Sequence, residues 1–259
     1  NIEESCFYAE RLVKMLLWCI GGFRIFLGGN EKVCKCVANC YAGGGIRSFD
    51  AEFMSGVYEQ PFEVVIADIK DIPQKKDSCV SIGRHLEGNR IGFDAGGSDI
   101  KVSAVVDGNV IYSEEIVWHP KINDSPDYHY KYIKEAMKKA AGKMEKVDAI
   151  GVSSAGIYVN NRAMVASLFI KIPKDLFDKK IKNIYLNIAQ ELGNIPVTVV
   201  NDGDVAALSG SMYKNQNNVL GIAMGTSEAG GYINSNGNVT GYLNELAFVP
   251  VDYNKNGPI

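Results

Sequence analysis

The stretch from Ile91 to Ile111, IGFDAGGSDIKVSAVVDGNVI, constrains the fold more than any other part of this sequence. Apolar and small residues run into Asp94, a Gly96-Gly97 corner follows, and a second turn falls at Asp107-Gly108-Asn109. Alternation with a period of two, broken by Gly, Asp and Asn, predicts adjacent strands at 90–95, 100–106 and 109–117. Helical and extended patterns then take turns. A helix is expected over about 128–144, a strand in VDAIGVSS, a helix over about 175–192, a strand in VTVVN and a helix over 203–213. The strands VLGIAMG and GGYIN follow. A meander succeeded by β and α units predicts an α/β fold, a mixed sheet flanked by helices.

Residues before 90 read differently. A helix over 4–20 ends at Gly21-Gly22, a short strand lies in FRIFLGG, and a helix runs from Asn30 to about Tyr41 before a Gly43-Gly44-Gly45 break. FEVVIADI, at 62–69, reads as a buried strand, and 74–89 as a polar linker.

Charge and cysteine usage exclude several classes. A net charge of −3 with no basic stripe gives no footprint for nucleic acid. The longest apolar run near the start, MLLWCIGGFRIFLGG, is broken by glycines and Arg24, so no membrane span is expected. Six cysteines, at 6, 19, 34, 36, 40 and 79, all in the first third, point to reduced thiols and a cytoplasmic setting. The segment CKCVANC reads as helix, with Cys34, Cys36 and Cys40 as packing thiols rather than metal ligands. His119 and His129 read as packing or surface residues, and the basic segment 134–146 as a solvated helix face.

Four turns carry the chemistry. They are Asp94-Ala95-Gly96-Gly97-Ser98, Gly151 to Gly156, Asn201-Asp202-Gly203-Asp204, and Gly225-Thr226-Ser227-Glu228-Ala229-Gly230-Gly231. Each follows a predicted strand, where open α/β sheets bind ligands, and glycine allows backbone amides to approach phosphate oxygens. Any one alone is an ordinary turn or helix cap.

In this order the four turns resemble the actin–hexokinase–chaperone ATPase superfamily, and within it the ROK family of sugar kinases and repressors. Asp94 to Ser98 is similar to the family's Asp-x-Gly-Gly-Thr, with Ser98 for Thr. Asn201-Asp202 resembles its Asn-Asp before a helix, Gly225 to Gly231 partly resembles its second phosphate loop, and NELAFVPVD is similar to its Gly-Glu-x-Gly-His-x-Pro segment. The resemblance covers about 90–259. It implies a ribonuclease H-like, actin-like ATPase fold with 90–217 as the first lobe. Residues 218–259 would begin a second lobe that these residues leave incomplete, as in a piece of a longer protein, and 1–89 would be an α/β extension or cap.

It also implies an ATP-dependent sugar kinase. Asp94 would orient the nucleotide phosphates and their Mg2+, with Gly96, Gly97 and Ser98 against the phosphates and Gly225 and Thr226 on the far side. Asp202 would be the general base, with Asn201 and Glu245 binding other sugar hydroxyls. The partners would be a sugar, Mg2+ and ATP, without nucleic acid or membrane, in a chain that pairs as a homodimer. Departures from the pattern are Phe248 at the family histidine, Ala247 at a glycine and Glu228 inside the second phosphate loop. They suit an alternative, a non-catalytic sugar- or nucleotide-binding regulator of the same fold. A dehydratase-activator ATPase, the other alternative, needs cysteines beside the cleft, and all six here precede residue 80.

Overall fold

A computed structural model describes residues 1–74, 79–224 and 228–254. The chain starts with helix α1 (Ile2–Ile20), opened by a capping box in which the Asn1 side chain accepts from the Glu4 amide. Strand β1 (Arg24–Leu27) leads into α2 (Glu31–Tyr41), capped by Asn30, then α3 (Ser48–Tyr58) and β2 (Glu63–Ile66). β1 and β2 pair in parallel with the two helices as their crossover. Helix α3 was not expected. Its packing explains it: Ala51, Met54 and Val57 are buried against neighbouring elements, and tertiary burial rather than a regular apolar stripe holds it.

The meander follows as β3 (Asn89–Ala95), β4 (Asp99–Val106) and β5 (Asn109–Val117). Asp107 and Gly108 take positive φ of 48° and 80°, as a tight hairpin turn demands. Helix α4 (Pro126–Ala141) crosses to β6 (Ala149–Ser154), and a small hairpin, β7 (Ile157–Val159) with β8 (Arg162–Val165), stands beyond it. The expected helix over 175–192 is in fact α5 (Lys174–Leu176), a π-helical turn at Phe177–Ile181 and α6 (Ile184–Glu191). β9 (Val197–Val200), α7 (Asp202–Lys214), β10 (Val219–Met224) and β11 (Glu228–Ile233) complete the elements.

Five strands form one sheet in the order β5-β4-β3-β6-β9. β4 runs antiparallel to both neighbours, while β6 and β9 are parallel to β3. This is the mixed sheet of the ribonuclease H-like and actin-like fold. Period-two alternation gives its faces opposite characters. Ile91, Phe93, Ile100, Val102, Ile150 and Val152 turn toward α4 and α6 and make the main core. The opposite face presents Gly92, Asp94, Lys101, Ser103, Gly151, Ser153 and Thr198, which line a cavity of about 420 Å³.

The segment 74–89 is not free of the body where it is described. Val80 bridges Val239, and the Arg84 guanidinium donates to Ser211 Oγ at 2.9 Å and Asn217 Oδ1 at 3.1 Å. All six cysteines are free thiols. His129 is a packing residue, buried against Trp118, Tyr128 and Phe169. No described helix is long and apolar enough to cross a membrane.

Candidate functional site

Asp94 stands near the carboxyl end of β3, on the cavity side of the sheet. Sheet register puts Lys101 on one side of it and Ser153 on the other. The turn that follows is tight: Gly96 donates its amide to the Asp99 carbonyl at 2.9 Å. That amide is committed to the hairpin, whereas Gly97 and Ser98 stand at the exposed tip. Trp118, fully buried, ties the turn down, donating Nε1–H to Gly96 O at 2.8 Å and its own amide to Ser98 O at 3.1 Å.

Asn201 and Asp202 sit where β9 passes into α7. The Asn201 side chain caps the helix by accepting from the Gly203 amide at 2.8 Å, and its Nδ2 donates to Gly156 O at 2.8 Å. One side chain therefore joins the second and third turns. Asp202 Oδ1 accepts from the Gly203 amide at 3.1 Å. Burial pushes the Asp202 carboxyl above the usual carboxylate range and the charge of Asp94 adds to this, while the Gly203 amide opposes it. Burial raises Glu245 in the same direction, and there the added charge is that of Asp202. Asp94, Asp202 and Glu245 are far apart in sequence, yet Asp202 feels the charge of Asp94 and Glu245 feels that of Asp202.

Glu245 owes its place to the other end of the chain. The amides of Leu243, Asn244 and Glu245 donate to the last carbonyls of α1, those of Ile20, Cys19 and Trp18, at 3.3, 3.0 and 3.1 Å. Trp18 is fully buried, stacks on Phe248 with centroids 4.2 Å apart and donates Nε1–H to Asp50 at 2.9 Å. Phe248, where the sequence resemblance leads one to expect a histidine, serves as that stacking partner. Leu243 and Val249 join the core built by α1, α2, α3 and β1.

Gly225 and Thr226 lie outside the described residues. The glycines that follow do not form a turn, because Glu228 to Gly231 are strand residues of β11 paired with β10. Their smallness has a packing cause. A β-carbon at Gly231 would lie 2.3 Å from Gly203 O, and one at Gly203 would lie 2.5 Å from Gly230 O. Helix α7 therefore rests directly on the hairpin backbone. Glu228 is exposed, opposite Met224.

Sequence reasoning assigned no role to Asp204, Tyr58, Tyr158 or Tyr242. The last three line a second cavity of about 420 Å³ with Asn201 and Asp204. Tyr158 and Tyr185 both donate to the buried Ser154 Oγ, at 2.7 and 3.2 Å, and so brace the second turn. Asp204 is buried against β11, with Oδ1 unpartnered among the described residues. Burial first, and then the charge of Asp202, push its carboxyl up to about 7, against the Tyr232 amide that lowers it. No pattern in the sequence distinguishes Asp204 from a solvated first-turn acid.

A mixed sheet of this topology, with acidic residues near its strand ends, is the ribonuclease H-like arrangement expected from the sequence. No family model and no curated protein matches the sequence. Among solved structures the chain is similar to a ROK hexokinase from Thermus thermophilus, at 19% identity and a TM-score of 0.44 over 61% of this chain and 51% of that one. It is similar to a glucokinase from Parabacteroides distasonis, at 18% and 0.44 over 60% and 46%. A ROK-family transcriptional regulator, homolog of the E. coli MLC protein, gives 15% and 0.46 over 64% and 42%. The chain spans about half the length of these structures, and at such identities the likeness is one of fold.

Proposed function

We propose that this chain carries the acceptor and phosphate side of an ATP-dependent sugar kinase of the ROK type. The observation that supports this best is that Asp94, Asp202 and Glu245, from three distant segments, influence one another in turn: the charge of Asp94 helps raise the Asp202 carboxyl, and that of Asp202 helps raise Glu245. Phosphoryl transfer asks a protein mainly for positioning and charge, with one carboxylate to align the attacking hydroxyl. Asp202 suits that task. Half-burial raises its proton affinity above that of an ordinary carboxylate, and the helix cap fixes its backbone. Asn201 and Glu245 would hold neighbouring hydroxyls, and Asp94 with Gly97 and Ser98 would face the phosphates.

Among the described residues no three His, Cys, Asp or Glu side chains form a metal cage. Magnesium fits in the form phosphates bring it, with one protein carboxylate, phosphate oxygens and water, and Asp94 would be that carboxylate. When bound, the ion supplies charge neutralisation at the phosphate oxygens.

The test is calorimetric titration with Mg-ATP and Mg-ADP, with and without a panel of hexoses, followed by an ADP-release assay. Nucleotide binding strengthened by one hexose, with turnover that Asp202→Asn abolishes while binding persists, is the expected result. Binding without turnover would favour the regulatory reading, for which Phe248 in place of the family histidine speaks. Silence toward every nucleotide and hexose would sink both.

A further inference from the structure

The proposed phosphate loop has an electrostatic deficit. Asp94, Asp99 and Glu115 all stand around it, and a β-carbon at Gly96 would lie 2.8 Å from Asp99 Oδ1. Of the nearby cations, Lys101 is bonded to Asp99 at 2.7 Å, between that residue and Glu115. A polyanionic ligand approaching Gly97 and Ser98 would meet net negative charge unless another cation faces it.

Lys121 is such a cation. It lies on a short 3-10 turn, Pro120–Ile122, directly after β5. A β-carbon at Gly97 would lie 3.3 Å from both Cε and Nζ of Lys121, so the ammonium rests against the tip of the loop. Among the described residues Lys121 makes no ion pair or hydrogen bond. Its half-buried backbone is held in several ways. Trp118 bonds both Gly96 O and Ser98 O, the Pro120 carbonyl lies 3.1 Å from His129 Nε2, and Asn123 Nδ2 donates to His119 O at 2.7 Å. The residues that carry the lysine are thus tied to the two carbonyls flanking Gly97. An unpaired ammonium fixed against a glycine tip is arranged to meet an anion there, with three donors and a charge-assisted bond.

We propose that Lys121 contacts the phosphates of the nucleotide and makes the acidic rim of the loop compatible with a polyanion. This rests on the phosphoryl-transfer reading of the site. The test is calorimetry of the whole chain with Mg-ADP and with adenosine, the latter a phosphate-free probe, for the wild type, Lys121→Met, Lys121→Arg and Asp94→Asn. Lys121→Met keeps the aliphatic stem and should weaken Mg-ADP on the order of tenfold while leaving adenosine unchanged. Lys121→Arg should restore most of the loss, and added salt should shrink the gap between wild type and Lys121→Met. Unchanged Mg-ADP affinity in Lys121→Met, with Asp94→Asn weakened, would overturn the role of Lys121 and leave the site reading standing. Equal weakening of adenosine and Mg-ADP would also overturn it, because the effect would then be structural. A wild type that binds no Mg-ADP would overturn both.

Discussion

Asp204→Asn tests the electrostatics of the site without touching the proposed base. Asp204 is 7% exposed, and its carboxyl is raised from 3.8 to about 7, first by burial and then by the charge of Asp202. An acid whose folded pKa is raised holds its proton longer in the folded state than in the unfolded one. Its contribution to stability is therefore full at low pH and declines as pH rises between the two values, at about 1.4 kcal/mol per pH unit. At about pH 5 only the unfolded state has ionised, which costs the folded state roughly 1.6 kcal/mol. At about pH 8 both states have ionised and the cost is roughly 4 kcal/mol. Asparagine keeps an oxygen for the Tyr232 amide and cannot ionise. Asp202 is present in both proteins, so its own titration largely cancels in the difference. Denaturant unfolding of wild type and Asp204→Asn at these two pH values should show the asparagine variant gaining on wild type by about 2–3 kcal/mol from acid to alkaline pH. A difference that stays flat within about 0.5 kcal/mol would refute the buried carboxyl with its unpartnered Oδ1 as described.

Other expectations follow from the same contacts. Asp202→Asn should lower any sugar-dependent turnover by roughly 10²- to 10⁴-fold with nucleotide affinity retained, read by ADP release and calorimetry. Asp94→Asn should weaken Mg-nucleotide binding, and unchanged affinity would remove the first turn from the site. Gly231→Ala puts a methyl 2.3 Å from Gly203 O and 2.4 Å from Asp204 Cα, backbone atoms that cannot swing aside, and should cost about 3 kcal/mol by denaturant unfolding. Gly56→Ala, in a helix with open space around it, should instead gain about 0.5–1 kcal/mol.

The meander was legible almost to the residue, because alternation and the Asp107-Gly108 turn are local signals that sheet pairing only reinforces. So were α7 and its cap, since Asn201 both breaks the strand and satisfies the helix amides. Helix α3 was not legible. Its buried Asp50 looks like a solvent-facing residue until Trp18, Lys14 and Arg47 are seen around it. Gly230 and Gly231 were read as part of a turn that partly resembles a second phosphate loop, because glycine pairs signal close backbone approach. They do mark one, but the partner in contact is helix α7. The site divided in the same way: Asp94, Asn201 and Asp202 announce themselves by position at strand ends. The raised pKa of Asp204 and the ammonium of Lys121 depend on packing across segments, which no single stretch of sequence encodes.

The dependence of Glu245 on α1 gives a consequence that can be worked through. The main core draws its residues only from 91–199, so the sheet with Asp94 at one strand end has a buried interior that owes nothing to the first 74 residues. Glu245 has no such independence. Its backbone hangs from the last turn of α1, and the aromatic ring three residues later stacks on Trp18. Trp18→Ala would empty a fully buried indole site, remove one of the donors to Asp50 and strip Phe248 of its stacking partner, at about 3–5 kcal/mol. That loss should fall on the α1–α3 core and the 243–249 segment rather than on the five-stranded sheet. Hydrogen exchange would separate the two. Protection should drop at the amides of Leu243, Asn244 and Glu245 while persisting in β3 and β6, and hexose-dependent binding should weaken more than nucleotide binding. Uniform loss of protection would mean that the chain ends and the sheet unfold as one unit. Glu245 would then be held by the whole molecule rather than by α1.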